Sequence, residues 1–552
     1  MDRRRRLLVA SLGTWLAAAA SGLAPAPAGG PPPSKTPATA PFVESIDVRA
    51  VDVEAVVTDA KGNRVRGLTA ADFRLLVDGK EVPIDYFVEV ADGQSAPPPP
   101  LAAGAAPQAA SAPPVPPPAA KDGSGGAVGS SYVVFVDDVF AIGKHRDMVL
   151  QQIERDLSLL GPQDRMAVVS FDGKRTALLS GWSGDPASLK LALEAAIHRR
   201  AGGGMVLARR RSAQSEEVEE ARVLENSGKA DMIAMLPSSQ VWTAQSYADS
   251  VGWTASAAAA VLRGLPRPPG RKVMMLLAGG WPWTGDPRVL APLVQTANLL
   301  GYTLYPINVP GMDAILGAAF DMSEPGPTPQ PAFLSNSWQL GAEGALKALA
   351  KATGGTVALN REDAFRRVVA DTRSFYWLGF SPVWKADDHG HAVRVEVRRP
   401  GLQVRSRSGY SDVSTRTAGA MRAESLLLMG GAAADRRLAV ELGEPAHPKA
   451  RGGTLELPIS LALPVESLTF VPTGGVYRAE ANLSLATLDK RGGRATLPDV
   501  RLRLRLPAAP AAGAFARYRT TVKLRRAPQR LVLSVQDAAS GAMLWDEVEV
   551  RP

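Results

Sequence analysis

Residues 133–146 read VVFVDDVFAIGKHR, and this stretch decides how the rest of the chain is read. The apolar run is a buried strand in pattern, and it ends in two carboxylates, Asp137 and Asp138. A turn around Gly143 and Lys144 follows. Next comes a helix over HRDMVLQQIERDLSLL, in which Val149, Ile153, Leu157 and Leu160 share one face. A strand that delivers carboxylates into a strand–helix turn is a common place for α/β domains to bind a metal or a ligand.

Working outward, residues 131–372 keep alternating. After that first helix come the strand RMAVVSF, then TALLSGW, which can pair with it. Asp185 and Pro186 supply a cap and a first-turn proline for the helix SLKLALEAAI. The strands KVMMLLAGG and YTLYPINV follow with a helix over VLAPLVQTANLL between them. A helix over EGALKALAKATG and the short strand TVALN come next, and REDAFRRVVADTR closes the region. Six apolar strands separated by amphipathic helices predict an α/β fold class: a doubly wound, mostly parallel six-stranded sheet of Rossmann type. Residues 199–264 read as a helical insertion between two strands, and 312–340 as an irregular Pro/Ser loop.

The flanks are β in pattern. Residues 42–90 alternate at period two with turns at AKGN and Asp78-Gly79, an N-terminal β module. Residues 91–130 collapse to Pro, Ala, Gly and Ser and read as a linker with too little apolar surface to order itself. Strands return at 375–410 (FYWLGFSP, HAVRVEVRR, LQVRSRSGY). Since 42–90 and 375–410 bracket the central region, one β unit with the α/β region inserted is expected. From 423 to 552, six or more alternating segments predict a C-terminal, Ig-like β-sandwich.

The chain has 552 residues, too many for one core, and no cysteine, which excludes disulfides, thiol catalysis and thiolate metal sites. Residues 1–28 have the form of a signal peptide: Arg3–Arg6, an apolar stretch from Leu7 to Ala20, then Ala26-Pro27-Ala28. Cleavage by the Sec or twin-arginine route, or retention as an anchor, are the alternatives. The expected location is secreted or periplasmic, with no transmembrane span in the mature chain. The formal charge of +9 is scattered rather than clustered, which points away from nucleic acid.

The segments VVTDAKGNRVRGLTAADFRLLVDGK, VVFVDD, LLGPQDRMAVVSF, GRKVMMLLAGGWP, LLGYTLYPINVPG, LAKATGG and FYWLGFSP occur in that order between about 42 and 410. In this the chain resembles the VWFA-related proteins of acidobacterial type, which carry a von Willebrand factor A domain. The resemblance implies a divalent cation held by an Asp-x-Ser-x-Ser motif, a Thr and a second Asp. In this sequence Asp137 takes the first position. Val139 and Ala141 fall where the serines belong, Met205 where the threonine belongs, and Gly279 where the last carboxylate belongs. One carboxylate without supporting hydroxyls is a poor site for a hard cation, so a degenerate site with no metal and no cofactor is expected. The alternative for Asp137 is that it accepts backbone N–H bonds or pairs with Lys144 or Arg146.

Three other features bear on function. Asp387-Asp388-His389-Gly390-His391 has metal-ligand residue types, but its position between two strands reads as a solvated hairpin tip. Trp281 and Trp283 follow the fourth strand at the sheet's C-terminal edge, where they either form a recognition surface or pack beneath the 199–264 segment. GWSGD at 181–185 is not a nucleophile elbow, and no triad is legible. The sequence therefore predicts an exported, non-enzymatic protein-binding or adhesion scaffold with an unknown extracytoplasmic partner. Its candidate contact surface comprises Asp137, Asp138, Met205, Trp281 and Trp283. Cation-dependent adhesion and an envelope hydrolase with an unrecognised site are the alternatives.

Overall fold

The computed structural model describes residues 50–95, 126–203, 223, 226–227, 239–279, 281, 287–309, 344–358, 363–431, 438–446, 453–490 and 493–551. The chain opens with β1 (Val51–Thr58), β2 (Phe73–Val77), β3 (Lys80–Val82), β4 (Tyr86–Ala91) and β5 (Gln94–Ser95). Alternation along β1 buries Val51, Val53, Ala55 and Val57. Asp78 and Gly79 both adopt positive φ between β2 and β3, the backbone that a tight two-residue hairpin requires.

The middle of the chain contains β6 (Ser130–Asp137), α1 (Gly143–Arg155), β7 (Arg165–Phe171), β8 (Thr176–Ser183), α2 (Pro186–Ile197), α3 (Ser239–Gly264), β9 (Arg271–Ala278), α4 (Ala291–Leu300), β10 (Tyr302–Asn308), α5 (344–353) and α6 (Ala364–Thr372). Its sheet has the order β10-β9-β6-β7-β8. β6, β7, β9 and β10 run parallel, and β8 is antiparallel to β7. Alternate residues of β6 face opposite ways. Tyr132, Val134 and Val136 join Val149, Leu193 and Phe365 in one core, while Val133 and Phe135 join α3 and α4 in another.

β11 (Phe375–Phe380), β12 (His389–Val397), β13 (Gln403–Ser406) and β14 (Gly409–Asp412) return the chain to the first module. They complete two sheets with the N-terminal strands, of order β13-β1-β11-β4-β5 and β14-β12-β2-β3. Helix α7 (Thr415–Met429), capped by Ser414 accepting from Thr417 N, leads into the last module. That module is built from β15 (Ala439–Leu442), β16 (Thr454–Pro464), β17 (Val471–Thr473), β18 (Val476–Asp489), β19 (Arg494–Leu506), β20 (Phe515–Arg525), β21 (Gln529–Asp537) and β22 (Met543–Val550). These form two antiparallel sheets around a shared apolar core that includes Leu457, Ile459, Leu483, Leu531 and Leu533.

The expected α/β class with a doubly wound, mostly parallel six-stranded sheet is corrected by this architecture. The chain is mostly β, 43% strand against 27% helix, and most of its strands lie in antiparallel sheets. Among the described residues the central sheet is mixed and has five strands. Of the predicted sixth, TVALN, the described part makes one parallel bridge, between Ile307 and Ala358, and Leu359 and Asn360 lie outside the described residues. Gly355 lies so close beneath β10 that a Cβ there would meet Leu304 O at 1.8 Å, so the segment approaches the sheet edge through a glycine before any ladder forms.

Two further boundaries differ. The Ala-rich end of the 199–264 segment is central rather than inserted: Ala257, Ala258, Ala259 and Ala260 of α3 are fully buried. They sit in one core with Leu276 of the sheet, Leu426 of α7 and Val532 of the sandwich. Small side chains let α3 be covered on several sides at once, and Gly264 allows Met429 Sδ to approach within 2.7 Å of a would-be Cβ. The sandwich strands start at 439, since 415–429 is α7. No helix among the described residues is long and apolar enough to cross a membrane.

Candidate functional site

β6 ends at Asp137, and the loop 138–142 carries the chain over the C-terminal edge of the central sheet into α1. Both carboxylates are buried, Asp137 with no exposure and Asp138 with 1%. Asp137 Oδ1 accepts from Val139 N at 2.9 Å and Phe140 N at 3.4 Å, and its Oδ2 accepts from Trp281 Nε1 at 2.7 Å. Burial pushes the Asp137 carboxyl up to about 7, against the Trp281 indole and the two backbone amides, which pull it down.

Asp138 is neutralised by the protein's own cations. Arg146, one turn into α1, donates Nη1 to Asp138 Oδ1 at 2.6 Å, and Arg199 Nε lies 3.3 Å from Oδ2. Arg146 is itself 1% exposed, and its Nη2 donates to Asp147 Oδ1, Ile197 O and Arg199 O. Burial raises the Asp138 carboxyl, opposed by Arg146 and Arg199. The guanidinium joins this loop to the end of α2, and Gly202 N donates to Asp138 O at 2.6 Å. Gly203 must be a glycine here, because a Cβ would lie 2.4 Å from Phe140 O.

The candidate contact surface therefore needs correcting at three of its positions. Asp137, Asp138 and Trp281 are interior side chains bonded to one another or to arginines, with no surface to offer a partner. Met205 and Trp283 lie outside the described residues. Of the two readings of Trp281, packing is the observed one: it joins the core formed by α3 and the sheet. The arginine pairing suggested for Asp137 is made instead by Asp138. Arg199 was not singled out in the sequence; its position just beyond α2, facing a strand-end carboxylate, carried no local signal.

A divalent cation does not fit at this edge. Val139 and Ala141 bring no side-chain oxygen, Gly279 brings none, and Asp137 already faces three donors. The positive charge that Asp138 requires is covalently present as Arg146 and Arg199.

The joint between the central sheet and the first β module is also ionic. Arg271 of β9 pairs with Glu54 of β1 at 2.8 Å, and lies over the ring of Phe375 at 4.4 Å. Burial raises Asp371, but Arg405, Arg64 and Arg271 outweigh it and hold the carboxyl at about 2. A cavity beside this joint, lined by Asp52, Lys272, Thr303, Trp377 and Arg407, measures about 30 Å³, room for one or two waters.

The segment 387–391 is not a hairpin tip: it turns at Asp387 and Asp388 and enters β12 at His389, and β11 and β12 belong to different sheets. It folds onto the end of β14, bringing Asp387, His391 and Asp412 together with candidate ligand atoms all within 4.8 Å of one another.

No family model matches the chain, and no curated protein matches it. Among solved structures 26 chains match. One, described as the X-ray structure of Northeast Structural Genomics Consortium target SoR45, is 11% identical, with a TM-score of 0.14. It aligns over 22% of this chain and 90% of its own length, and at that score it carries no argument.

Proposed function

We propose that this chain is an exported, non-enzymatic protein-binding scaffold of the VWFA-related kind, whose sheet-edge metal site has been replaced by internal side chains. The observation that supports this reading is the Asp138–Arg146 pair: the aspartate is balanced by a guanidinium held by three further acceptors. A partner's carboxylate then has no bound cation to complete, and attachment falls to loop shape. Two segments leave from this same edge. One begins after Gly203, which packs on Phe140 and Ala141, and one after Val309, whose N–H donates to Ala278 O. Nearly all of the first segment up to residue 238, and the second up to residue 343, lie outside the described residues.

The test is capture from envelope extract on the immobilised chain, intact and with residues 204–238 replaced by a short Gly/Ser link. A defined partner should be held by the intact chain with or without Mg²⁺ and lost from the shortened one. Capture that survives the deletion, or that needs Mg²⁺, would refute the proposal.

A further inference from the structure

We infer that Asp387, His391 and Asp412 form a binding site for a divalent transition-metal ion of the Zn²⁺ kind, which clamps the end of the first β module next to α7. The three come from two segments brought together by the β12–β14 ladder, in which His389 opposes Asp412 and His391 opposes Tyr410. Tetrahedral ligands at 2.0–2.2 Å from an ion lie roughly 3.3–3.6 Å apart, so a cluster within 4.8 Å must close by about 1 Å at its widest pair to hold one. One imidazole and two carboxylates form a mixed nitrogen/oxygen donor set that suits Zn²⁺ and leaves a fourth position open to water.

Charge balance gives an independent argument. Asp412 is 3% exposed, and its carboxylate accepts only from backbone amides, Lys385 N at 2.6 Å and Ala386 N at 3.1 Å. Among the described residues, no lysine or arginine lies within ion-pair distance of Asp78, Asp387 or Asp412; histidines pair with the first two, and Lys80 acts on Asp78 from farther off. Buried charges are ordinarily paired or bound to metal. Each carboxylate oxygen of Asp412 has a second lone pair beyond the one its amide uses.

His391 is also set up as a ligand. Its Nδ1 lies 2.8 Å from Asp78 Oδ2, and Asp78 Oδ1 accepts from Ala392 N at 2.9 Å. The ring stacks on Tyr410 at 4.8 Å with 19° between planes. A carboxylate holding one ring nitrogen fixes the tautomer and orients the other nitrogen, the usual second partner of a metal-binding histidine. Asp78 is thus a positioning residue.

The location gives the ion a structural role. Asp388, inside the same turn, accepts from Ser414 N and Oγ, and Ser414 caps α7. Helix α7 in turn carries the sandwich core against α3. Tightening the turn therefore stiffens the joint between modules.

The experiment is calorimetry and thermal melting of the full chain, stripped with EDTA and titrated with ZnCl₂. Wild type should bind one ion with a raised melting temperature. His391→Ala and Asp387→Ala, at a half-buried and an exposed position respectively, should each lose binding by 100-fold or more, and Asp78→Asn should lose about 10–100-fold. Asp137→Asn should bind as wild type does, which separates this site from the sheet edge. X-ray absorption on the Zn²⁺-loaded wild type, which needs no variant to fold, should show nitrogen and oxygen ligands with one imidazole. Absence of Zn²⁺ binding, binding unchanged in the His391→Ala/Asp387→Ala double variant, or a shell without imidazole would each overturn the inference.

Discussion

Replacing Arg146 with methionine is the sharpest test of how the sheet edge is held. The substitution keeps the apolar stem and removes a guanidinium that is 1% exposed. Asp138, with a fully buried side chain, then keeps only Arg199, which is 28% exposed and 3.3 Å away. Breaking a buried pair by removing one partner costs about 3–5 kcal/mol, because the remaining charge is left uncompensated. Ile197 O and Arg199 O also lose their donor, adding about 1 kcal/mol where water cannot replace it. For a unit of 150–250 residues, 1 kcal/mol lowers Tm by about 2–4 °C, so a fall of roughly 10–20 °C is expected in the transition that includes the central sheet. Differential scanning calorimetry reads this directly. Asp138→Asn in the same chain should restore part of the loss, through a coupling of about 2 kcal/mol. Millimolar Mg²⁺ should not rescue Arg146→Met. A fall under about 3 °C, or rescue by Mg²⁺, would refute the view that the arginine neutralises this edge.

Asp137 predicts a pH dependence of a definite sign. Its folded pKa of about 7 lies above the ordinary 3.8, so the stabilisation from its protonated form is complete below the ordinary value and is lost as pH rises through 7. Tm should fall between pH 5 and 8 relative to Asp137→Asn. Trp281→Phe, which removes a donor, should move that fall to higher pH; movement to lower pH would contradict the assignment. Asp371 has the opposite sign. Held at about 2 against 3.8, it contributes about 2.5 kcal/mol that is present above pH 4 and lost as pH falls through 2. Asp371→Asn should therefore flatten the acid limb of an unfolding curve, and an unchanged limb would count against the Arg64–Arg405 cage. Ala258→Leu should overpack α3 and cost about 1–3 kcal/mol by denaturant melting; a neutral result would mean that α3 is not enclosed on several sides.

Period-two and period-3.6 patterns located the strands of the central sheet and most of the flanking ones, because each of those segments has one dominant buried face. They failed where burial comes from more than one side. The Ala257–Ala260 run has no polar face to mark a core helix, and so resembled an insertion. Residues 415–429 have Leu426, Leu427 and Leu428 all buried, which blurs helical periodicity. TVALN has the composition of a strand, but its neighbours Gly354 and Gly355 set a close approach that pattern does not encode. Site geometry was less legible still. Asp137 and Asp138 were recognisable as a strand-end pair, but their partners Trp281 and Arg199 lie 144 and 61 residues away. Asp412 reaches the 387–391 turn only through the β12–β14 ladder.

The two carboxylate clusters differ in what a cation would have to displace. At the sheet edge an ion must take Asp137 from three donors, and hydrogen bonds to a charged group are worth about 1.5–3 kcal/mol each. It must also enter beside Arg146, whose like charge repels it. Millimolar binding by one or two carboxylates supplies only about 4 kcal/mol, so the ion loses that competition. At Asp387, His391 and Asp412 the terms reverse. The backbone amides on Asp412 leave lone pairs free, Asp78 keeps the imidazole oriented, and among the described residues no lysine or arginine is within ion-pair distance of Asp78, Asp387 or Asp412. A metal gained there adds attraction without breaking an ion pair to an arginine or lysine. On these grounds the first β module is the place where this chain meets a divalent ion, and the sheet edge is where it does without one.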